Sequence, residues 1–160
     1  MSGMDFTDRA QGSLSAAFEM AKDYAHAQLA PAHIALALLL DDTSNSQGVQ
    51  STNKESQSLF KSVCQKAGVN IGDLENELRT ALRKIPQQSP APDEVTLSGA
   101  TTKVIKQAQS YKTQQRDSFI AQDHILLALL DDSQIEKMLK ECGLANTELM
   151  RNAINQARGC

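Results

Sequence analysis

The chain has 160 residues, close to the ~150 that one globular domain usually takes, so a single unit with a full core is expected. Its 16 Lys and Arg against 19 Asp and Glu leave a net charge of −3, which argues against a phosphate-neutralising surface. With no Trp and 4% aromatic residues the chain also lacks stacking platforms for single strands, so nucleic acid is not an expected partner.

The three cysteines, Cys64, Cys142 and Cys160, form no CxxC pair and cannot all be bridged within one molecule. That suits a reducing compartment, the cytoplasm or the nucleus. The longest fully apolar run, residues 34–40, is far below the ~18 to 20 residues that cross a bilayer, and no signal pattern opens the chain, so no membrane association is expected. Neither glycine-rich phosphate-binding motif is present, and no nucleotide chemistry is expected in this chain itself.

In chain order, Thr7 is a plausible N-cap for a first helix whose apolar residues Ala10, Leu14, Ala17, Phe18 and Ala21 recur at three- and four-residue spacing, ending near Tyr24. Pro31 suits the first turn of a second helix that is apolar nearly all round, and therefore central. The Ser-, Asn- and Gln-rich stretch 43–58 reads as a mobile surface loop. A third helix runs from about 58 to 67 and stops at Gly68; a fourth covers about 73 to 83, with Leu74, Leu78 and Leu82 as its stripe. The seam 85–95 carries three prolines and favours an extended connector. Beyond it, Ser98 caps a fifth helix, Ser133 with Glu136 makes a capping-box pattern, Gly143 ends the seventh helix and Thr147 begins the last.

The chain repeats itself. LAPAHIALALLLDD at 29–42 returns as FIAQDHILLALLDD at 119–132, with His124 lying 91 positions after His33. KSVCQKAGVNIGDLENEL at 61–78 resembles KMLKECGLANTELMRNA at 137–153, now at a shift of 75. The difference falls in the polar loop of the first copy. No segment shows convincing strand alternation, so the fold expected is all-α: one domain over 1–160 made of two pseudo-twofold four-helix repeats (about 5–84 and 96–158) joined by the 85–95 connector and packed through their apolar second helices.

Two matching histidines and two cysteines invite a metal reading, but each His is followed by an apolar run rather than a ligand one turn away; no metal is expected, and each His reads as a hydrogen-bonded residue at the start of a buried helix. Nothing in the spacing brings a Cys and a His together as a nucleophile pair. Asp41-Asp42 and Asp131-Asp132 read as solvated turn residues. Asp117 and Asp123 differ, because their counterparts 91 positions earlier are His26 and Ala32; they mark the second half alone. Blandly, Asp123 is an acid favourable to a helix N-terminus and Asp117 a turn former.

The doubled A-H-I-A-L-A-L-L and D-H-I-L-L-A-L-L, the seam LRKIPQQSPAP and the run QQRDSFIAQDHILLALL resemble the amino-terminal domain of the Clp family of hexameric AAA+ protein-unfolding machines, most closely the ClpB-type disaggregases of the eukaryotic heat-shock branch. The resemblance covers about residues 5–158. It implies a non-enzymatic, mobile appendage, monomeric by itself, of a homohexameric parent whose separate ATPase modules use ATP and magnesium. Its implied partners are unfolded or aggregated polypeptides, or adaptor and co-chaperone proteins. Carried over by position, the substrate-engaging residues are Thr7, Asp117 and Asp123, with groove positions at Ile105, Tyr111 and His124. Bacterial relatives carry Glu in place of Asp123 and an apolar residue in place of His124, so the groove here is expected to be more polar at that end.

The corresponding mechanism is weak capture. An apolar groove removes exposed side chains from water, each worth ~1.5 to 3 kcal/mol, while ordering the captured segment costs ~2 to 5, so release to a central pore is quick and several tethered domains supply avidity. The alternative is docking of one folded adaptor through a defined, partly charged surface; a small metal or thiol hydrolase is the third class.

Overall fold

The computed structural model describes residues 5–41, 58–90 and 93–157. Eight helices are found among them: α1 (Asp8–Asp23), α2 (Pro31–Leu39), α3 (Leu59–Ala67), α4 (Ile71–Lys84), α5 (Gly99–Gln114), α6 (Gln122–Leu130), α7 (Ser133–Glu141) and α8 (Thr147–Ala157). The loop expected at 43–58 lies outside the described residues except for Ser58. Ser58 caps α3 by accepting the Lys61 N–H at 3.1 Å and donates its own hydroxyl to the Leu39 carbonyl at 2.9 Å, tying α3 to the end of α2.

The helix starts follow the expected capping chemistry with two exceptions. Thr7, Ser58 and Ser98 each accept a backbone N–H three residues on, but α4 starts two residues earlier than the stripe suggested because Asn70 caps it through Asp73 N–H at 2.9 Å. Asp132, not Ser133, caps α7 through Ile135 N–H at 3.1 Å. α8 begins at Thr147 as expected, and Asn146 closes the turn before it by accepting the Glu148 N–H. At α7 the residue before the expected cap carries a side-chain oxygen of the right reach.

Helices α2 and α6 are buried on all sides, every residue of both being buried, and they touch each other near the middle of the molecule. An all-apolar helix has no face to give to water, so each needs a complete jacket. The jacket is shared. α1 covers α2 and α5 covers α6, while α3 packs on α8 and α4 on α7, so each half's third and fourth helices close against the other half.

The exchange extends to the backbone. Two short strands that the sequence reading did not anticipate, β1 (Gln28–Leu29) and β2 (Thr96–Leu97), pair in parallel, and an isolated bridge joins Phe6 to Ile120. These are twofold mates at the 91-residue shift. Ser98 N–H donates to the Leu29 carbonyl at 3.1 Å, and Thr7 N–H donates to the Ile120 carbonyl at 3.0 Å. Two residues are too few for alternation to show, which is why no strand was legible.

At the opposite end, the mates Gly68 and Gly143 close α3 and α7 with φ of 84° and 116°. A methyl group on Gly143 would lie 3.0 Å from the Gly68 carbonyl, whereas one on Gly68 meets nothing within 4 Å. Both positions disfavour a side chain by ~1 kcal/mol through backbone conformation alone. Gly143→Ala therefore destabilises by clearly more than Gly68→Ala in urea unfolding, by about 1 kcal/mol or more. Equal losses would show that the two turns do not meet.

Candidate functional site

The histidines at the starts of the two central helices solve one local problem twice. Ala30 and Ala121 occupy the N-cap positions and have no side-chain oxygen. His33 and His124 reach back from the third helical position, each accepting the cap residue's N–H on Nδ1 at 2.8 Å. With Nδ1 used as an acceptor, the neutral ring carries its proton on Nε2. His33 Nε2–H then donates to His26 Nδ1 at 2.9 Å. His124 Nε2–H donates to Asp117 Oδ2 at 2.7 Å.

The two halves thus differ by one substitution of partner, imidazole for carboxylate. In the first half, His26 is stacked on Tyr24 with ring centroids 5.2 Å apart, and its Nε2 faces the Leu82 and Ile85 carbonyls without a hydrogen bond of good geometry. Burial, and next the neighbouring His26, lower the His33 pKa to about 4; burial lowers that of His26 as well. In the second half, the 1%-exposed His124 holds Asp117, whose side chain remains 31% exposed. Asp123 lies beside it, with its carboxylate 3.9 Å from His124 Nε2.

Asp123 and Thr7 come together. They line a shallow cleft of about 510 Å³ between the first turns of α1 and α6, with Asp8, Arg9, Leu59, Ala121 and Gln122. Gln122 sits at its base, its amide donating to Ser13 Oγ at 2.8 Å and to the Asp41 carboxylate. Asp41 is consequently buried, not the solvated turn residue expected, and Arg9 approaches it at 3.5 Å from the partly exposed side. Asp42 lies outside the described residues. Phe119, two residues before Ala121, is 51% exposed, the most exposed of the large apolar side chains described.

Three expected groove positions fall elsewhere. Ile105 is only 2% exposed and belongs to the core, because α5 turns the face that carries Val104, Ile105 and Ala108 onto α6. Tyr111 does not line the cleft. Its hydroxyl donates to Asp131 at 2.7 Å and accepts from Arg151 at 3.0 Å, within a polar junction of α5, α6 and α8. His124 is buried and acts on the site by orienting Asp117. Asp131 is likewise no free turn residue: burial alone would raise its pKa, but hydrogen bonds from Arg151, Tyr111 and Gln107 outweigh that and hold the carboxyl below the usual range.

The residues missed by sequence reasoning are Arg9, Leu59, Phe119 and Gln122. Phe119 carried a signal, since it is a large apolar residue opposite the polar Gln28 in the repeat. Leu59 carried none, because it reaches the cleft from α3, far away in sequence.

Among the described residues, no group of three or more His, Cys, Asp or Glu is placed to hold a metal ion. No helix there is long and apolar enough to cross a membrane. Burial, and next the nearby Cys142, push the Cys64 thiol up to about 12; burial and surrounding acids push Cys142 up to about 11. Both are thereby poorer nucleophiles than an exposed cysteine.

Comparison places this duplicated helical domain in a family. The Clp repeat (R) N-terminal domain matches residues 5–142, and the chain belongs to that family. The crystal structure of the Hsp104 N-terminal domain from Candida albicans is 36% identical with a TM-score of 0.78, covering 97% of this chain and 92% of that one. Heat shock protein hsp98 of Neurospora crassa is 37% identical over 160 residues, and heat shock protein 104 of Schizosaccharomyces pombe 35% over 159. Each match takes in 99% of this chain but 17% and 16% of those proteins, so the chain spans about one sixth of their length. The N-terminal domain of ClpD from Arabidopsis thaliana, at 20% identity and a TM-score of 0.65, shares the fold.

The His26–His33 bond has a measurable signature. Because the folded pKa of His33 lies below its unfolded value of 6.5, the unfolded chain takes up the proton first as pH falls. Its contribution is intact above pH 6.5 and is lost progressively down to pH 4, a loss of about 3 kcal/mol. In an NMR titration the His33 Cε1–H shift stays flat from pH 8 to 5 and moves near 4; a midpoint near 6.5 would contradict the buried pair.

Proposed function

We propose that this chain is the substrate-recruiting domain of an ATP-dependent protein disaggregase, acting in the cytoplasm or nucleus and capturing exposed apolar segments of unfolded or aggregated proteins. The observation that carries the reading is the cleft between α1 and α6. Its lining is largely apolar around Leu59 and Ala121, with Thr7 and Asp123 at its edge and Phe119, two residues before Ala121, standing exposed. Apolar side chains entering from an unfolded segment leave water there, while Asp117 and Asp123 favour basic neighbours. The cleft is small, so only one or two side chains can be held and affinity is low. Low affinity fits a hand-over role, in which several such domains on a hexameric ATPase ring share the capture and each one releases quickly. ATP and magnesium belong to the separate ATPase modules in this reading, and this domain carries out no reaction of its own.

The test uses a permanently unfolded client, reduced carboxymethylated α-lactalbumin. Removing one Leu-sized contact is worth ~1.5 to 3 kcal/mol, about ten- to hundredfold in affinity. Leu59→Ser therefore weakens capture by about tenfold or more, with the far-ultraviolet circular dichroism unchanged. Leu149→Ser, which removes a 45%-exposed leucine from α8, leaves capture as it was. Equal capture by the two folded variants would reject the cleft as the recruiting surface, and selective binding of one folded protein with no affinity for the unfolded client would favour adaptor docking.

A further inference from the structure

The turn between α5 and α6 differs from its mate in the side chains it shows to solvent. At the 91-residue shift, Arg116, Asp117, Ser118 and Phe119 stand where the first half has Ala25, His26, Ala27 and Gln28. The backbone is shared. Ala25 and Arg116 hold φ at 59° and 62°, and the N–H groups of His26 and Asp117 close the same bond, to the Ala21 and Lys112 carbonyls, at 2.9 and 3.0 Å. In the first half the connector binds this turn, the Gln88 N–H donating to the Ala25 carbonyl at 2.9 Å. Among the described residues no donor to the Arg116 carbonyl is found, and Arg116, Ser118 and Phe119 are exposed.

Ser118 stands apart from the other hydroxyl residues. Among the described residues, the serines and threonines outside helices, strands and N-caps are Ser89 and Ser118. Ser89 precedes Pro90 and has no basic residue in the four positions before it, whereas Ser118 has Arg116 two positions before it and Phe119 directly after. Neither the Ser118 hydroxyl nor the main chain of Ser118 and Phe119 makes a hydrogen bond among the described residues, and Arg116 makes no ion pair there. A free hydroxyl, a guanidinium at fixed spacing and an aromatic ring, all exposed on a short unbonded stretch, form the charge pattern by which a basic-directed protein kinase selects its acceptor. The first half, with Ala25 and Ala27, lacks both the cation and the acceptor.

We infer that Ser118 is a phosphorylation site for a basic-directed serine/threonine kinase, and that the phosphate controls the adjoining surface. The control rests on the recruiting function proposed above; the site itself does not. In the transfer, Ser118 Oγ attacks the γ-phosphorus of ATP and the bond from that phosphorus to the ADP oxygen breaks. ADP leaves, and the hydroxyl proton passes to the kinase's catalytic carboxylate. The rim already carries two carboxylates, since Asp117 and Asp123 lie 2.7 and 3.9 Å from the same His124 nitrogen. Phosphoserine adds a charge of about −1.5 to −2 at neutral pH between Asp117 and Phe119. Clients whose apolar residues have acidic neighbours are then repelled, and salt screens the effect because these groups face solvent.

The chain is incubated with magnesium, ATP and the catalytic fragment of protein kinase C, and the phosphate is located by mass spectrometry of its peptides. The expected result is phosphate on Ser118, absent from Ser118→Ala and incorporated about tenfold more slowly in Arg116→Gln. No phosphate on Ser118, or an undiminished rate in Arg116→Gln, overturns the site. The phosphorylated chain is then compared with the unmodified one in capture of reduced carboxymethylated α-lactalbumin, an acidic client. Phosphorylation weakens capture about three- to tenfold at low ionic strength, and the difference narrows in about 0.5 M salt. Ser118→Ala treated with the same kinase captures as the unmodified chain does. Equal capture with and without the phosphate overturns the control. Absence of capture by the unmodified chain removes the recruiting function and its control together, and leaves Ser118 as a phosphorylation site.

Discussion

The structure depends on the demand of two helices to be buried on every side. Neither α2 nor α6 has a polar face, and one four-helix repeat is too small to enclose such a helix by itself. Packing the two against each other covers one side of each, the other helices of each half cover the rest, and the third and fourth helices then close across the halves, α3 on α8 and α4 on α7. A buried helix start adds a second demand, since its first N–H groups have no water to turn to. His33 and His124 meet it by accepting the cap N–H from within the helix. Each then needs a partner for its remaining N–H, and that need is met by His26 in the first half and Asp117 in the second.

At that point the halves diverge. The first half spends its turn on internal bonding: His26 receives His33, and the Ala25 carbonyl receives the connector. The second half keeps the same backbone but places a carboxylate where the imidazole was and a phenyl ring where an amide was. Both halves keep an open cleft, one of about 600 Å³ beside Gln28 and one of about 510 Å³ beside Asp123.

Much of the fold was legible because it is written in local chemistry. The apolar runs after Pro31 and Ala121, the caps at Thr7 and Ser98, and the glycines at 68 and 143 act over a few residues and read directly. The internal repeat supplied the twofold. What could not be read was long-range. Leu59 reaches the cleft from α3, and Gln122 is fixed by Asp41 and Ser13 from the other half. Ile105 and Tyr111 are groove residues only by what the family resemblance implies, and the roll of α5 on α6 decides that one is core and the other is held by Asp131 and Arg151. Asp41 reads as a solvated turn for the same reason: its burial is imposed by a residue 81 positions away.

The central claim is that the surface around Phe119 in the second half, and not its counterpart around Gln28 in the first, meets unfolded chains. A photo-crosslinking benzoylphenylalanine introduced singly at position 119 or at position 28, in otherwise identical folded protein, reports on the two mates directly. Irradiation with an unfolded client is predicted to give adducts from position 119 and few from position 28. Comparable adducts from both, or a yield confined to position 28, would contradict the account.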